Sequence, residues 1–252
     1  MPDLLARTNP VARITALAFL TTPLLLSVDV VSASCCLALI IVALPFTGTG
    51  IRQLLIRAWP LFLAAPLSGV SMALYGRPEG AEYFSFGWIH ITDNSIQLAL
   101  AIMVRVFAVG IPAMVLIGRT DPTDLGDSLA QIWRLPARFV IGAVAGVRLA
   151  TLFQRDWQAM SRARRSRGLA DDARLIRGVT MLFGLLVLAL RRGAKLATAM
   201  EARAFGTDVP RTWARPTRLS GWDWLLMAVC LAASLLSLGV AVATGDFRFL
   251  GA

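Results

Sequence analysis

Charged residues are scarce in this chain of 252 residues: Asp, Glu, Lys and Arg make up 16% of it, against roughly 25% in an ordinary soluble domain. Apolar residues reach 57%. Several apolar runs approach or exceed the roughly 18 residues needed to cross a bilayer. This composition excludes an ordinary soluble domain and predicts an integral protein of the cell membrane.

Cysteine, histidine and lysine are rarer still. The three cysteines all lie inside apolar runs: Cys35, Cys36 and Cys230. Since they lack the spacing of a disulfide framework or a metal site, we expect small core residues. The single histidine, His90, has acidic neighbours in sequence but no fixed geometry, so we expect a solvated loop and no metal. The single lysine, Lys195, is not part of a P-loop, so the chain is not expected to hydrolyse ATP.

Five apolar segments predict membrane-spanning helices: 11–28, 30–46, 58–75, 96–118 and 222–244. The first two are short and nearly contiguous, which predicts a tight helical hairpin around Asp29. Segment 76–94 alternates aromatic and polar residues and predicts a short extracytoplasmic hairpin. Arg105 is the one charge deep inside a span. It is either a functional group or a structural arginine that is paired within the bundle.

The net charge of +10 is concentrated in one region, since 119–221 holds 18 of the 25 lysines and arginines. Basic residues gather in cytoplasmic loops of membrane proteins, which explains this charge without nucleic acid. We therefore predict an all-α polytopic membrane protein with a cytoplasmic N-terminus and an external C-terminus. It has four transmembrane helices in 1–118, a cytoplasmic domain of long amphipathic helices in 119–221, and a last transmembrane helix and tail in 222–252.

Two helix ends stand out in the cytoplasmic segment. A long amphipathic helix begins near Pro136 and ends at Gly168, after SRARRSRG. The apolar run 179–190 is too short to cross a bilayer, which predicts a buried or interfacial helix. That helix continues through AMEARAFG and is expected to end at Gly206. Both helices therefore end in an arginine-bearing turn with a glycine beyond.

These paired ends resemble those of the transmembrane T component of energy-coupling factor (ECF) transporters, the EcfT/CbiQ family. NPVAR before the first span and DLGDSLAQIWRLPARF before the long helix extend the resemblance over most of the chain. In that family two Ala-Arg-Gly-like motifs end the coupling helices. Here, Ser166-Arg167-Gly168 matches the first with Ser for Ala, and Ala202-Arg203-Ala204 matches the second with Ala for Gly.

The resemblance implies a subunit without catalytic residues or bound cofactors. Arg167 and Arg203 would each insert into a groove on one of two ABC-type ATPases, which bind the ATP and Mg. The third partner would be a small membrane protein, the S component, that binds a vitamin or a transition-metal ion such as cobalt. Five further residues would support the coupling helices: Arg162, Arg164, Arg165, Glu201 and Gly206.

Two alternatives remain open on the residues alone. A membrane enzyme acting on lipid headgroups would use Asp121, Asp124 and Asp127 to hold a divalent ion, although carboxylates at a helix start more often complement the helix dipole. A stand-alone secondary transporter usually shows repeated halves, and this sequence has no apparent internal repeat.

Overall fold

The computed structural model describes residues 4–75, 82–86, 89–118, 120–168, 174–205, 212–245 and 247. Eight α-helices lie in these ranges: α1 Pro10–Leu25, α2 Val30–Ala43, α3 Ile51–Tyr75, α4 Asp93–Ile117, α5 Pro122–Gln131, α6 Ala137–Ser166, α7 Arg174–Glu201 and α8 Gly221–Thr244. Two short 3-10 helices are added, Leu4–Arg7 and Leu44–Thr47. The predicted all-α polytopic fold is confirmed.

A small antiparallel hairpin connects α3 to α4. Its strands are β1 Glu82–Phe86 and β2 Ile89–Thr92, and a register shift lies between Glu82 and Phe84. The hairpin predicted within 76–94 is therefore present, and its extracytoplasmic side stays a prediction.

The chain forms two compact units. One unit comprises Met1–Asp121 and Arg218–Ala252, and holds α1 to α4 and α8. We call it the membrane unit. The other comprises Pro122–Thr217 and holds α5 to α7; we call it the inserted unit.

Among the residues that the structure describes, five helical segments are long and apolar enough to cross a membrane: Val30–Thr47, Arg52–Tyr75, Asp93–Ile117, Ala137–Ser166 and Gly221–Thr244. This set differs from the sequence prediction in one member. Helix α1 has only 16 residues, about 24 Å at 1.5 Å per residue, which is less than the roughly 30 Å hydrocarbon core. Helix α6 qualifies by length and composition, and its cytoplasmic location stays a prediction.

A polar cap turns the chain between the first two helices. Asp29 is the N-cap of α2, and its Oδ2 accepts a hydrogen bond from the Ser32 N–H at 2.6 Å. Such a cap satisfies one of the backbone donors that a helix start leaves unpaired. The turn predicted around Asp29 is present, since α1 ends at Leu25 and α2 begins at Val30. The prediction of a tight hairpin is wrong, because α1 packs mainly on α8 and α2 mainly on α4 rather than on each other.

The NPVAR segment ties the start of α1 to the start of α8. Asp223 is 1% exposed. Its Oδ1 accepts a hydrogen bond from the Asn9 N–H at 2.6 Å, and its Oδ2 accepts one from the Ser220 N–H at 2.7 Å. Arg13 is also buried, and its guanidinium donates to Thr8 Oγ1 and to the carbonyls of Leu5 and Thr8. A polar network of this kind fixes two helix starts that lie far apart in sequence.

Small side chains line the interior of the membrane unit. One core cluster consists of Leu20, Leu24, Cys36 and Ala108, and Cys230 packs against it. The buried Ser234 of α8 donates from Oγ to the Phe19 carbonyl of α1 at 3.0 Å. Small residues allow helices to approach closely in a membrane, where lipid supplies no hydrophobic drive for association. The prediction that the cysteines are core residues is confirmed for Cys36, which is fully buried.

Candidate functional site: two arginine-bearing helix ends

The first predicted motif lies at the end of α6. Arg167 is the C-cap residue, and its N–H donates to the Arg164 carbonyl at 3.2 Å. Gly168 has a φ of +73°, the left-handed conformation that glycine adopts at little cost. Its N–H donates to the Arg165 carbonyl at 3.1 Å. The prediction that α6 ends at Gly168 is therefore confirmed.

The second motif ends α7 by a complete Schellman arrangement. The Phe205 N–H donates to the Met200 carbonyl and the Ala204 N–H to the Glu201 carbonyl, both at 2.9 Å. The residue in the left-handed conformation is Ala204, with a φ of +56°. The prediction that Gly206 ends this helix is wrong, because the helical turn closes on Met200 and reaches the left-handed position at Ala204. Gly206 itself lies outside the described residues.

The two ends therefore share one local geometry. In each, an arginine directly precedes a left-handed residue, Arg167 before Gly168 and Arg203 before Ala204. All six predicted motif residues are exposed: Ser166, Arg167, Gly168, Ala202, Arg203 and Ala204. The Ser166 Oγ donates to the Ala163 carbonyl at 2.9 Å, so its hydroxyl is engaged by its own helix. Both arginines are presented to solvent on turns held by backbone hydrogen bonds.

The left-handed alanine predicts a stabilising substitution. A non-glycine residue in this conformation costs about 1–2 kcal/mol, while glycine loses about 0.5–1 kcal/mol more backbone entropy on folding. We expect Ala204→Gly to raise the free energy of unfolding by about 0.5–1 kcal/mol. That corresponds to roughly 1–4 °C in the melting temperature of the purified full chain.

The matched change is Gly168→Ala, which places a Cβ at the equivalent position of α6. It is expected to lower the melting temperature by a similar amount, because no atom of the described residues lies within 4 Å of that Cβ to compensate the strain. A lower melting temperature for Ala204→Gly would contradict the role given to Ala204.

Three contacts show how α6 and α7 pack. Arg164 Nη1 donates to Thr180 Oγ1 at 2.7 Å. A Cβ built on Gly184 would meet Met160 Cε at 2.6 Å, so the helices approach closely there. Asp156 forms a two-pronged ion pair with Arg192, in which Nη2 and Oδ1 are 3.1 Å apart. From the first contact to the third, the residue number rises along α7 and falls along α6, so the two helices run antiparallel.

This arrangement places the two motif arginines on opposite sides of the crossing. Arg167 follows Met160 by seven residues and Arg203 follows Gly184 by nineteen. At 1.5 Å per residue, these distances are about 10 Å along α6 and about 28 Å along α7, in opposite directions. The inserted unit thus has one exposed arginine on either side of a helix crossing that is held by the Asp156–Arg192 ion pair.

The supporting residues separate into two groups. Arg162, Arg165 and Glu201 are exposed and present their charge to solvent. Arg164, predicted only as a supporting residue, connects α6 to α7 through Thr180. Sequence reasoning missed Asp156 and Arg192, although one signal was present: Asp156 is the sole acidic residue among the 30 residues of α6.

The outer face of α7 is apolar and open. Eight large side chains on this helix are between 46% and 82% exposed: Leu175, Ile176, Val179, Leu182, Phe183, Leu186, Val187 and Leu190. The sequence predicted a buried or interfacial helix over 179–190. Within the described chain the buried alternative is wrong, because this face has no covering element. An apolar surface of this extent is typical of a contact with a membrane or another protein.

The acidic residues at the start of α5 do not converge on a metal site. Asp124 lies in the first turn of α5, and its Oδ1 is 3.8 Å from Arg215 Nη1. Over the described ranges, no group of three or more His, Cys, Asp or Glu side chains is arranged to hold a metal ion. The His90 side chain lies outside the described residues. A carboxylate in the first turn of a helix is stabilised by the helix dipole, which accounts for Asp124 structurally.

Comparison with known proteins gives a consistent result. The family model of the cobalt transport protein CbiQ matches residues 4–213, which include both arginine-bearing helix ends. The chain is 27% identical over 207 residues to the energy-coupling factor transporter transmembrane protein EcfT of Exiguobacterium sibiricum, covering 77% of this chain and 78% of that protein.

Proteins of the same name from two further organisms are also similar. The Limosilactobacillus fermentum protein is 27% identical over 175 residues, covering 62% of this chain and 63% of its own. The Ruminiclostridium cellulolyticum protein is 26% identical over 163 residues, covering 60% and 61%. Since the family model spans most of the sequence, the chain belongs to the EcfT/CbiQ family and is a non-catalytic transmembrane subunit of an energy-coupling factor transporter.

Proposed function

We propose that this chain is the scaffold that couples two ABC-type ATPases to a substrate-binding S component for uptake of a vitamin or a transition-metal ion. The observation that carries the proposal is the pair of exposed arginines, Arg167 and Arg203, on opposite sides of the α6–α7 crossing. Each arginine would anchor one ATPase. When the two ATPases bind ATP and close, both helices would then move together.

The chemistry of the two arginines supports this role. Within the described part of the chain, neither guanidinium forms an ion pair or a hydrogen bond. A guanidinium stays charged and offers a planar fork of donors that engages carboxylates and carbonyl oxygens with defined direction. Because each arginine stands on a hydrogen-bonded turn, little ordering is needed when it enters a groove on a partner.

The open apolar face of α7 supplies a second contact surface. Its exposed side chains include Leu175 and Phe183, at 82% and 68%. An S component, itself a membrane protein, or the lipid surface would cover such a face, and burial of apolar area favours the contact by about 25 cal/mol per Å². Movement of α6 and α7 would then be transmitted to the S component, which would reorient and release its substrate inward.

The orientation in the membrane follows from charge. The excess of arginine in 119–221 supports a cytoplasmic location for the inserted unit and the N-terminus, with the C-terminus outside. ATP and Mg would be bound by the ATPases, since the sole lysine of this chain is not in a phosphate-binding loop.

The proposal is tested by co-expressing the tagged chain with two ABC ATPases and an S component encoded beside it. We expect a stable complex with one copy of each subunit. We also expect ATP-dependent uptake in proteoliposomes, lost when the ATPases carry an inactive catalytic site. Uptake by this chain alone, without ATPases, would contradict the proposal and support a secondary transporter.

The ion pair between α6 and α7 predicts a variant that separates binding from coupling. Asp156 and Arg192 side chains are 18% and 35% exposed, so losing the pair should cost about 1–2 kcal/mol, between the values for exposed and buried pairs. We expect Asp156→Ala to retain both ATPases but to lower the uptake per ATP hydrolysed several-fold, because the crossing no longer moves as one body.

Arg155→Ala is the matched control, since Arg155 is the exposed neighbour of Asp156 on the same helix. It should leave uptake per ATP unchanged. The exchanged pair Asp156→Arg with Arg192→Asp should restore coupling in part. If Asp156→Ala leaves this ratio at the parent value, the ion pair has no part in coupling.

A further inference from the structure

Two opposite charges lie buried inside the membrane unit, away from the coupling site. Arg105 on α4 is 9% exposed, and Asp29 at the α1–α2 turn is 4% exposed. Arg105 lies twelve residues into α4, about 18 Å from its start, which is near the middle of a span. Charges at such a depth are costly and are retained when they are paired.

Serine side chains connect these two residues. Arg105 Nη2 donates to Ser27 Oγ at 3.4 Å, and Ser27 Oγ lies 3.0 Å from Ser32 Oγ. The Ser32 N–H in turn donates to Asp29 Oδ2 at 2.6 Å. Both serines are completely buried. The cluster is therefore closed to partner proteins and to lipid headgroups.

Among the described residues, one acceptor and one donor of this cluster have no hydrogen-bond partner: Asp29 Oδ1 and Arg105 Nε. The two charged groups interact electrostatically without forming an ion pair within 4.0 Å among the described residues. A buried polar atom left unsatisfied destabilises the fold, and more so when it is charged. The cluster therefore holds one unsatisfied acceptor and one unsatisfied donor, on side chains of opposite charge.

We infer that a water molecule binds in this cluster, accepting from Arg105 Nε–H and donating to Asp29 Oδ1. A cation would be repelled by Arg105 and an anion by Asp29, so a small neutral molecule that both donates and accepts is required. The two charged groups supply two polar partners, which is the lower end of the range for a buried water. The water completes a charge pair that fixes the α1–α2 turn on α4 inside the membrane.

The charge pair is tested by a double-mutant cycle on the full chain in lipid nanodiscs. Asp29→Asn keeps a side chain that caps α2 and leaves Arg105 without a counter-charge, while Arg105→Met leaves Asp29 without one. Each single variant is expected to lower the melting temperature by about 6 °C or more. The double variant should regain at least half of the combined loss, because no unpaired charge remains.

Asp93→Asn is the matched control, since Asp93 is an exposed carboxylate in the first turn of α4; it should leave the melting temperature within about 2 °C of the parent. Additive losses in the cycle would overturn the pair. If the single variants do not fold, a double variant that folds supports the charge pair. A double variant that also fails to fold overturns it. A high-resolution map of the whole complex tests the water: density between the two groups supports it, and direct contact between them overturns it.

Discussion

Reversing both motif charges, Arg167→Glu with Arg203→Glu, is expected to abolish co-purification of the ATPases and to stop uptake. Truncating one buried, hydrogen-bonded charge at an interface costs about 2–5 kcal/mol, which is roughly 30- to 5,000-fold in affinity. Reversal adds repulsion from the carboxylates that a guanidinium would meet. Since both side chains are exposed and both turns are held by backbone hydrogen bonds, the variants should fold normally.

Each single variant is expected to lose affinity for one ATPase and to retain part of the uptake. The matched control is Arg155→Glu with Arg191→Glu, which makes the same change of charge at two exposed positions, one on α6 and one on α7. Co-purification measured on the same affinity resin should remain near the parent level in that control. An equal loss of ATPase binding in the control would show that overall charge recruits the ATPases. Normal ATPase binding by the double motif variant would show that Arg167 and Arg203 are not the anchors.

Removing the carboxylate that joins α1 to α8 should produce the largest loss of stability. Asp223 accepts hydrogen bonds from the Asn9 and Ser220 backbones and is 1% exposed. Asp223→Ala leaves the buried Asn9 N–H and the partly buried Ser220 N–H without their acceptor, at about 1.5–3 kcal/mol for each bond to a charged group, or about 3–6 kcal/mol in total. In nanodiscs, the melting temperature should fall by roughly 6–24 °C.

Asp223→Asn retains one acceptor oxygen and should lose about half as much. Asp93→Ala makes the same truncation in the first turn of α4, where the side chain is exposed, and should change the melting temperature by less than about 2 °C. A melting temperature for Asp223→Ala equal to that of Asp93→Ala would show that the link between the helix starts is dispensable.

Local pattern was sufficient to predict most of the helices. The runs that became α2, α4 and α8 were predicted within a few residues, because an apolar run in a membrane protein can satisfy its backbone only as a helix. The end of α6 was predicted at Gly168, because glycine is the usual residue in a left-handed helix cap. The same reasoning failed at Gly206. The left-handed position is determined by which carbonyls accept the last hydrogen bonds of the turn, and those of Met200 and Glu201 place Ala204 at that position.

By itself, the sequence determined a helical membrane protein with two arginine-bearing helix ends, because hydropathy, period and caps act over a few neighbouring residues. The tertiary structure alone decided which distant residues meet. Asn9 and Asp223 are 214 positions apart, Arg105 and Ser27 are 78 apart, and Asp156 and Arg192 are 36 apart. Which distant residues meet depends on how whole helices pack against each other. A local sequence pattern contains no information about that packing.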